Sequence, residues 1–175
     1  SAAASSSSSG AESLLSPPHT LALTEDELVR WTGRVQNGTA QLQSTFRLRD
    51  AILTELTNAD DVHGADRRCW IWLSHMAWMP GRAWLAVLFA FAPMDTAPGH
   101  TRMLHFGVAC VSAASTNEPR VVRVHVLPHE RSYSEHDSPA LIRASRLVIP
   151  PLGGGAAYVS VAGQLVLCLE LSVAN

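Results

Sequence analysis

Residues 83–92 read Ala83-Trp84-Leu85-Ala86-Val87-Leu88-Phe89-Ala90-Phe91-Ala92, ten positions without a charge or a hydrogen-bonding aliphatic side chain. A run this short cannot cross a bilayer, which takes about 20 apolar residues in a helix. It is strand-sized, and it shows no polar alternation, so it reads as a strand covered on both faces. Met79-Pro80-Gly81-Arg82 before it reads as a turn, and Asp95 to His100 after it as a loop. The same grammar extends outward. Cys69 to Met76 alternates in part and carries Trp70 and Trp72; Met103 to Ala113 is a further strand. From Val121 to Leu127, Val122, Val124 and Val126 alternate with Arg123 and His125. Leu42, Ser44, Phe46 and Leu48 mark a first strand, Ser145 to Ile149 a short one, and Ala156 to Val173 a long final segment bent near Gly163. These make seven or eight strands with no βαβ rhythm, the pattern of an all-β sandwich or jelly roll.

The N-terminal part reads differently. Ser1 to Ser16 is rich in Ala and Ser, with five serines in a row from Ser5. It cannot bury enough apolar surface to offset its ordering entropy, so it is expected to be a flexible arm closed by Pro17-Pro18. Thr24-Glu25-Asp26-Glu27 has a Thr cap, first-turn acids and a glutamate at the capping-box position, which predicts a short helix from Glu25 to Arg30. The chain is thus divided into an arm, residues 1–24, and a β-domain, residues 25–175. Ala51 to Leu56 is compatible with a helix or a strand. Asn58 to Asp66 and Pro128 to Pro139 read as polar loops.

Hydrophobic residues make up 47% of the 175 and charged residues 16%, against about a quarter charged in an ordinary soluble domain. So apolar a surface is expected to be hidden in part against partners. The formal net charge of −2 excludes a strong basic field for nucleic acid. Eight histidines qualify this, since mild acid would make a histidine-bearing surface cationic. Every basic residue other than histidine is arginine, and no lysine occurs. A codon bias toward C-rich sequence accounts for that most simply; selection against ubiquitin acceptors is the alternative. Neither a basic start nor an apolar stretch marks a signal peptide. Cys69, Cys110 and Cys168 are far apart and embedded in apolar segments, the pattern of buried free thiols in a reducing compartment.

The densest polar cluster is Pro128 to Asp137, where His129, Glu130, Glu135, His136 and Asp137 could supply metal ligands. Its histidines are seven apart in an expected loop, whereas a zincin pair lies four apart on one helix face, so the expectation is an exposed loop and no metal. Asn37-Gly38-Thr39 matches a glycosylation sequon, a match common by chance. No GxSxG elbow occurs, and Gly153-Gly154-Gly155 lacks the Lys and Ser of a phosphate loop. The tryptophans fit a core or a subunit interface better than a ligand platform, with Trp70, Trp78 and Trp84 as interface candidates. No cofactor and no catalytic residue are expected.

Several segments resemble the coat proteins of tymovirus-like plant viruses (Tymoviridae). Ser145-Arg146-Leu147-Val148-Ile149-Pro150-Pro151-Leu152, a small-residue turn, and Tyr158 to Leu165 look like the last two strands of that family's jelly roll. Cys69 to Leu73 and Gly81 to Pro93 look like its Trp-bearing strand and the apolar strand that follows, and Pro119 to Pro128 like a further strand. The resemblance implies an eight-stranded antiparallel jelly-roll sandwich with a short N-terminal helix and a flexible arm. It implies self-assembly through pentamers and hexamers into an icosahedral, T=3-type shell enclosing single-stranded RNA, without membrane involvement, found in the virion and in host cytoplasm during assembly. His75, His105 and His125 are the RNA-facing candidates. Two other readings stay open: a trimeric β-sandwich head for receptor or ligand binding, and a metal-dependent enzyme on a β-scaffold.

Overall fold

A computed structural model of the chain describes residues 19–32, 41–58, 69–79, 84–94, 102–112, 118–133, 138–150, 156–161 and 164–170. Among them the chain is mainly β and antiparallel. The first sheet is β1 (His19–Leu23), β2 (Leu28–Thr32) and β3 (Gln41–Phe46). The helix α1 (Leu48–Asn58) follows. The central sheet is β4 (Cys69–Trp78), β5 (Trp84–Pro93), β6 (Arg102–Ser112) and β7 (Arg120–Tyr133). A short helix α2 (Ser138–Ala144) leads into the third sheet, β8 (Arg146–Val148), β9 (Ala156–Val161) and β10 (Gln164–Glu170). Each sheet pairs strands in chain order: β1-β2-β3, β4-β5-β6-β7 and β8-β9-β10.

The central sheet is a middle layer, and β5 explains why. Its side chains alternate without exception between two cores. Ala86, Leu88, Ala90 and Ala92 join Leu104, Phe106, Val108 and Cys110 of β6 against Ile142 of α2 and Leu147, Ala157, Val159 and Val161 of the third sheet. Leu85, Val87, Phe89 and Phe91 join Ala109 and Val111 against Leu28 of β2 and Leu48, Ile52 and Leu56 of α1. The continuous apolar run is the signature of this two-sided burial. Each buried Leu, Ile or Phe contributes about 1.5–3 kcal/mol. The eight strands expected in a two-sheet jelly roll appear instead as ten strands in three sheets among the described residues. A jelly roll pairs strands distant in the chain, whereas here every hydrogen-bonded neighbour is also a neighbour in sequence.

Three local readings are corrected. No helix forms at Glu25 to Arg30: β1 and β2 are a hairpin, with Leu23 opposite Leu28 and His19 opposite Thr32. Thr24 does act as a cap, but of a turn. Its Oγ1 accepts from the Glu27 N–H at 3.0 Å, and its own N–H donates to the Glu27 carbonyl at 2.9 Å. Threonine followed by acids satisfies a turn as well as a helix start, and the pairing of β2 with β3 decides between them. β1 thus lies inside the segment read as an arm; residues 1–18 are outside the described residues. Second, the Ala51 to Leu56 ambiguity resolves as helix. Leu48, Ile52 and Leu56 repeat every four residues and form the buried stripe of α1, so the strand expected to reach Leu48 stops at Phe46. Third, the expected loop from Pro128 is strand as far as Tyr133. Leu127, Pro128 and His129 together face Phe106 in a bulge, between the pairs Gly107–Val126 and His105–Glu130. At a bulge on an edge strand, proline's missing N–H leaves no ladder bond unmade.

Candidate assembly edge and histidine sites

The central sheet has two edges of opposite chemistry. β7 carries Arg120, Arg123, Glu130 and Arg131, a proline and a bulge. These are the devices by which proteins stop an edge from pairing with another chain. β4 reads Cys-Trp-Ile-Trp-Leu-Ser-His-Met-Ala-Trp, with no Asp, Glu, Lys, Arg or Pro in ten residues. Among the described residues no strand pairs with its outer side. Trp70 and Trp78, near its two ends, are 45% and 40% exposed. Trp84 of β5 is half-buried against the core under the third sheet, as is Trp72. Of the three interface candidates, then, Trp70 and Trp78 present free surface and Trp84 largely packs inward.

β4 has its own bulge. Leu73 lies opposite Phe89 and His75 opposite Leu88, so Ser74 is the extra residue. The Ser74 hydroxyl donates to the Ile142 carbonyl at 2.7 Å, tying the strand to α2. The Ser145 hydroxyl, fully buried, donates to Leu141 O at 2.9 Å and closes that helix. Because of the bulge, Ser74 and His75 both point to the side of the third sheet. The outer face of that sheet is partly apolar: Val148 and Tyr158 are exposed and paired with one another.

The three RNA-facing candidates do not form one surface. His75 and His125 lie on the side of the third sheet, at positions paired with Leu88 and Val108. His105 lies on the opposite side, stacked on Phe91 with ring centroids 5.1 Å apart, and its Nδ1 is 3.4 Å from Glu130 Oε1. Burial holds His75 below the ordinary histidine range, and the Arg146 guanidinium adds to this, against a backbone hydrogen bond at Leu147. Burial and then Arg123 do the same to His125. Burial raises the Cys110 thiol, with Arg123 pulling the other way. His75 Nδ1, His125 Nε2 and His129 Nε2 are buried without a hydrogen-bond partner. Charging His75 or His125 therefore works against the fold.

This fixes a sign. A histidine whose pKa is depressed by folding takes up its proton more readily in the unfolded chain. Its stabilising contribution is intact above about pH 6.5, the unfolded value, and is lost as pH falls from there toward the folded value. The urea midpoint should fall between pH 7 and pH 5, and the His75→Gln/His125→Gln double variant should fall less steeply. Equal slopes in the two proteins would remove these histidines as the cause.

The polar cluster of residues 128–137 is split. His129 faces Phe106 on the side of the third sheet, and Glu130 pairs with His105 on the other. Neighbours on a strand point to opposite faces, so these two cannot share a metal. Glu135, His136 and Asp137 lie outside the described residues, as do Asn37-Gly38-Thr39 and Gly153-Gly154-Gly155. No cluster of three potential ligands occurs among the described residues. A depression of about 380 Å³ is lined by Asp26, Glu27, Arg47, Arg49 and Asp50. Within it Arg49 donates to Asp26 at 2.5 Å, and three carboxylates stand against two guanidiniums. No helix among the described residues is long and apolar enough to cross a membrane. What sequence reading missed was β4 as an edge; the signal was there in ten residues without a charge. Comparison with protein-family models returns no match, and comparison with curated proteins returns none either.

Proposed function

We propose that this chain is a structural subunit that works by associating with copies of itself, and that the assembly is an icosahedral, T=3-type coat enclosing single-stranded RNA. One observation carries the self-association: among the described residues β4 is an edge strand with no charged residue or proline, and an exposed tryptophan stands near each end. An edge of this length and composition is a template for a further strand, and solvent exposure of two Trp side chains is the kind of surface that interfaces take up. The low charge and the apolar outer row of Val148 and Tyr158 point the same way. The coat reading adds the resemblance of Ser145 to Leu152, Tyr158 to Leu165, Cys69 to Leu73 and Gly81 to Pro93 to tymovirus-like coat proteins. Arg120 and Arg123, exposed on β7, offer cations for phosphate contacts. The jelly roll that accompanies this resemblance is supported as far as stacked antiparallel sheets; the meander order of the strands favours a three-layer unit as the brick of the shell.

The test is electron microscopy and sedimentation of the purified chain at neutral pH, with nuclease treatment of any particles. Closed shells holding nuclease-protected RNA are expected. A chain that stays monomeric at high concentration would overturn the proposal. Trimers that never close would replace it with a trimeric head.

A further inference from the structure

We infer that two copies pair β4 to β4 in antiparallel fashion across a two-fold axis, joining the central sheets into one sheet of eight strands. The inference rests on the self-association reading and adds its geometry. A two-fold axis perpendicular to a sheet keeps each face of one copy continuous with the same face of the other, so facing residues must point to the same side. In β4, Trp70, Trp72, Ser74, His75 and Ala77 lie toward the third sheet, through their register partners on β5 and the hydrogen bonds of Ser74. Cys69, Ile71, Leu73, Met76 and Trp78 lie toward α1.

Of the antiparallel registers that engage more than half of the strand, a single one satisfies this at every pair. It sets Ile71 opposite Trp78 of the partner subunit, Trp72 opposite Ala77 of the partner subunit, Leu73 opposite Met76 of the partner subunit, and Ser74 opposite His75 of the partner subunit. The bulge decides the choice. A shift of one residue either way places a residue of one face against a residue of the other near the centre. The register also matches sizes, since Trp72 meets an alanine and Trp78 an isoleucine. β4 itself brings no Asp, Glu, Lys or Arg to the junction.

The Trp72→Cys/Ala77→Cys variant tests it under mild oxidation. Within one chain those positions are five residues apart along a strand, roughly 16 Å, too far for a disulfide. A 72–77 disulfide found by peptide mapping is therefore between chains, and the inference expects it as the main cross-link. Trp70→Arg and Trp78→Arg are the second arm. Both side chains are exposed, so the far-ultraviolet circular dichroism should stay unchanged, while dimer dissociation should rise by roughly thirtyfold or more. Assembly that persists in the arginine variants and yields no 72–77 bond overturns the β4 pairing and leaves self-assembly standing. A wild-type chain that never associates overturns both.

Discussion

Gly107→Ala should destabilise the domain by about 3 kcal/mol, seen as a lower urea midpoint with an unchanged slope. Gly107 lies opposite Phe89 in the β5–β6 ladder, and the Phe89 ring covers it. A Cβ at 107 would sit 2.3 Å from Phe89 Cζ and 2.8 Å from Cε1, well inside van der Waals contact. The ring has nowhere to go. It is fully buried in the core beneath α1, with Phe91 5.9 Å away. Removing a glycine also stiffens the unfolded chain, which favours folding by about 0.4–1 kcal/mol; the overlap outweighs that gain. The Phe89→Leu/Gly107→Ala double variant should recover part of the loss relative to the sum of the single changes, because the shorter side chain vacates the space. An unchanged midpoint for Gly107→Ala would show that the two do not meet.

Leu85→Ala and Leu88→Ala should each cost about 3 kcal/mol, within the range for buried leucines. Both are fully buried, three residues apart on one strand, and they face different cores. Their effects should add to within about 0.5 kcal/mol, since the two cavities open on opposite sides of the sheet and share no neighbour. A two-layer sandwich with a wet outer face makes a different forecast: one of the two changes would be nearly silent. Denaturation of the two single variants and the double variant separates these architectures without a further structure.

The two-sided burial of β5 was legible because periodicity reports how many faces of a strand are dry, and ten apolar positions leave no wet face. Side assignment elsewhere was less legible, because it depends on bulges. Ser74 turns the remainder of β4 over, so counting from Trp72 places His75 on the wrong face. Pro128 looked like a stop because it cannot donate to a ladder, and only the register across Phe106 shows that its donor is not needed there. Thr24 to Glu27 carried real capping chemistry, but that chemistry is common to turns and helix starts. The outcome was settled by β3, which the local sequence does not contain. The histidine candidates scattered for the same reason: strand position says which residues are near an edge, and ladder partners say which side they face.

Strand order has a consequence for how the chain is made. Because, among the described residues, each strand within a sheet pairs with the one made just before it, the ribosome delivers each hairpin ready to close, and β4 to β7 can form a sheet as soon as Tyr133 has emerged. The α1 side of that sheet finds its cover already synthesised. The other side does not: Leu88, Phe106 and Val108 must wait for Ile142, Leu147 and Val159, which are translated later. For that interval the nascent chain exposes a broad greasy plane beside an open strand edge, the state in which intermediates aggregate. Production of this protein should therefore respond to chaperone supply and to slower synthesis more than its final stability would indicate.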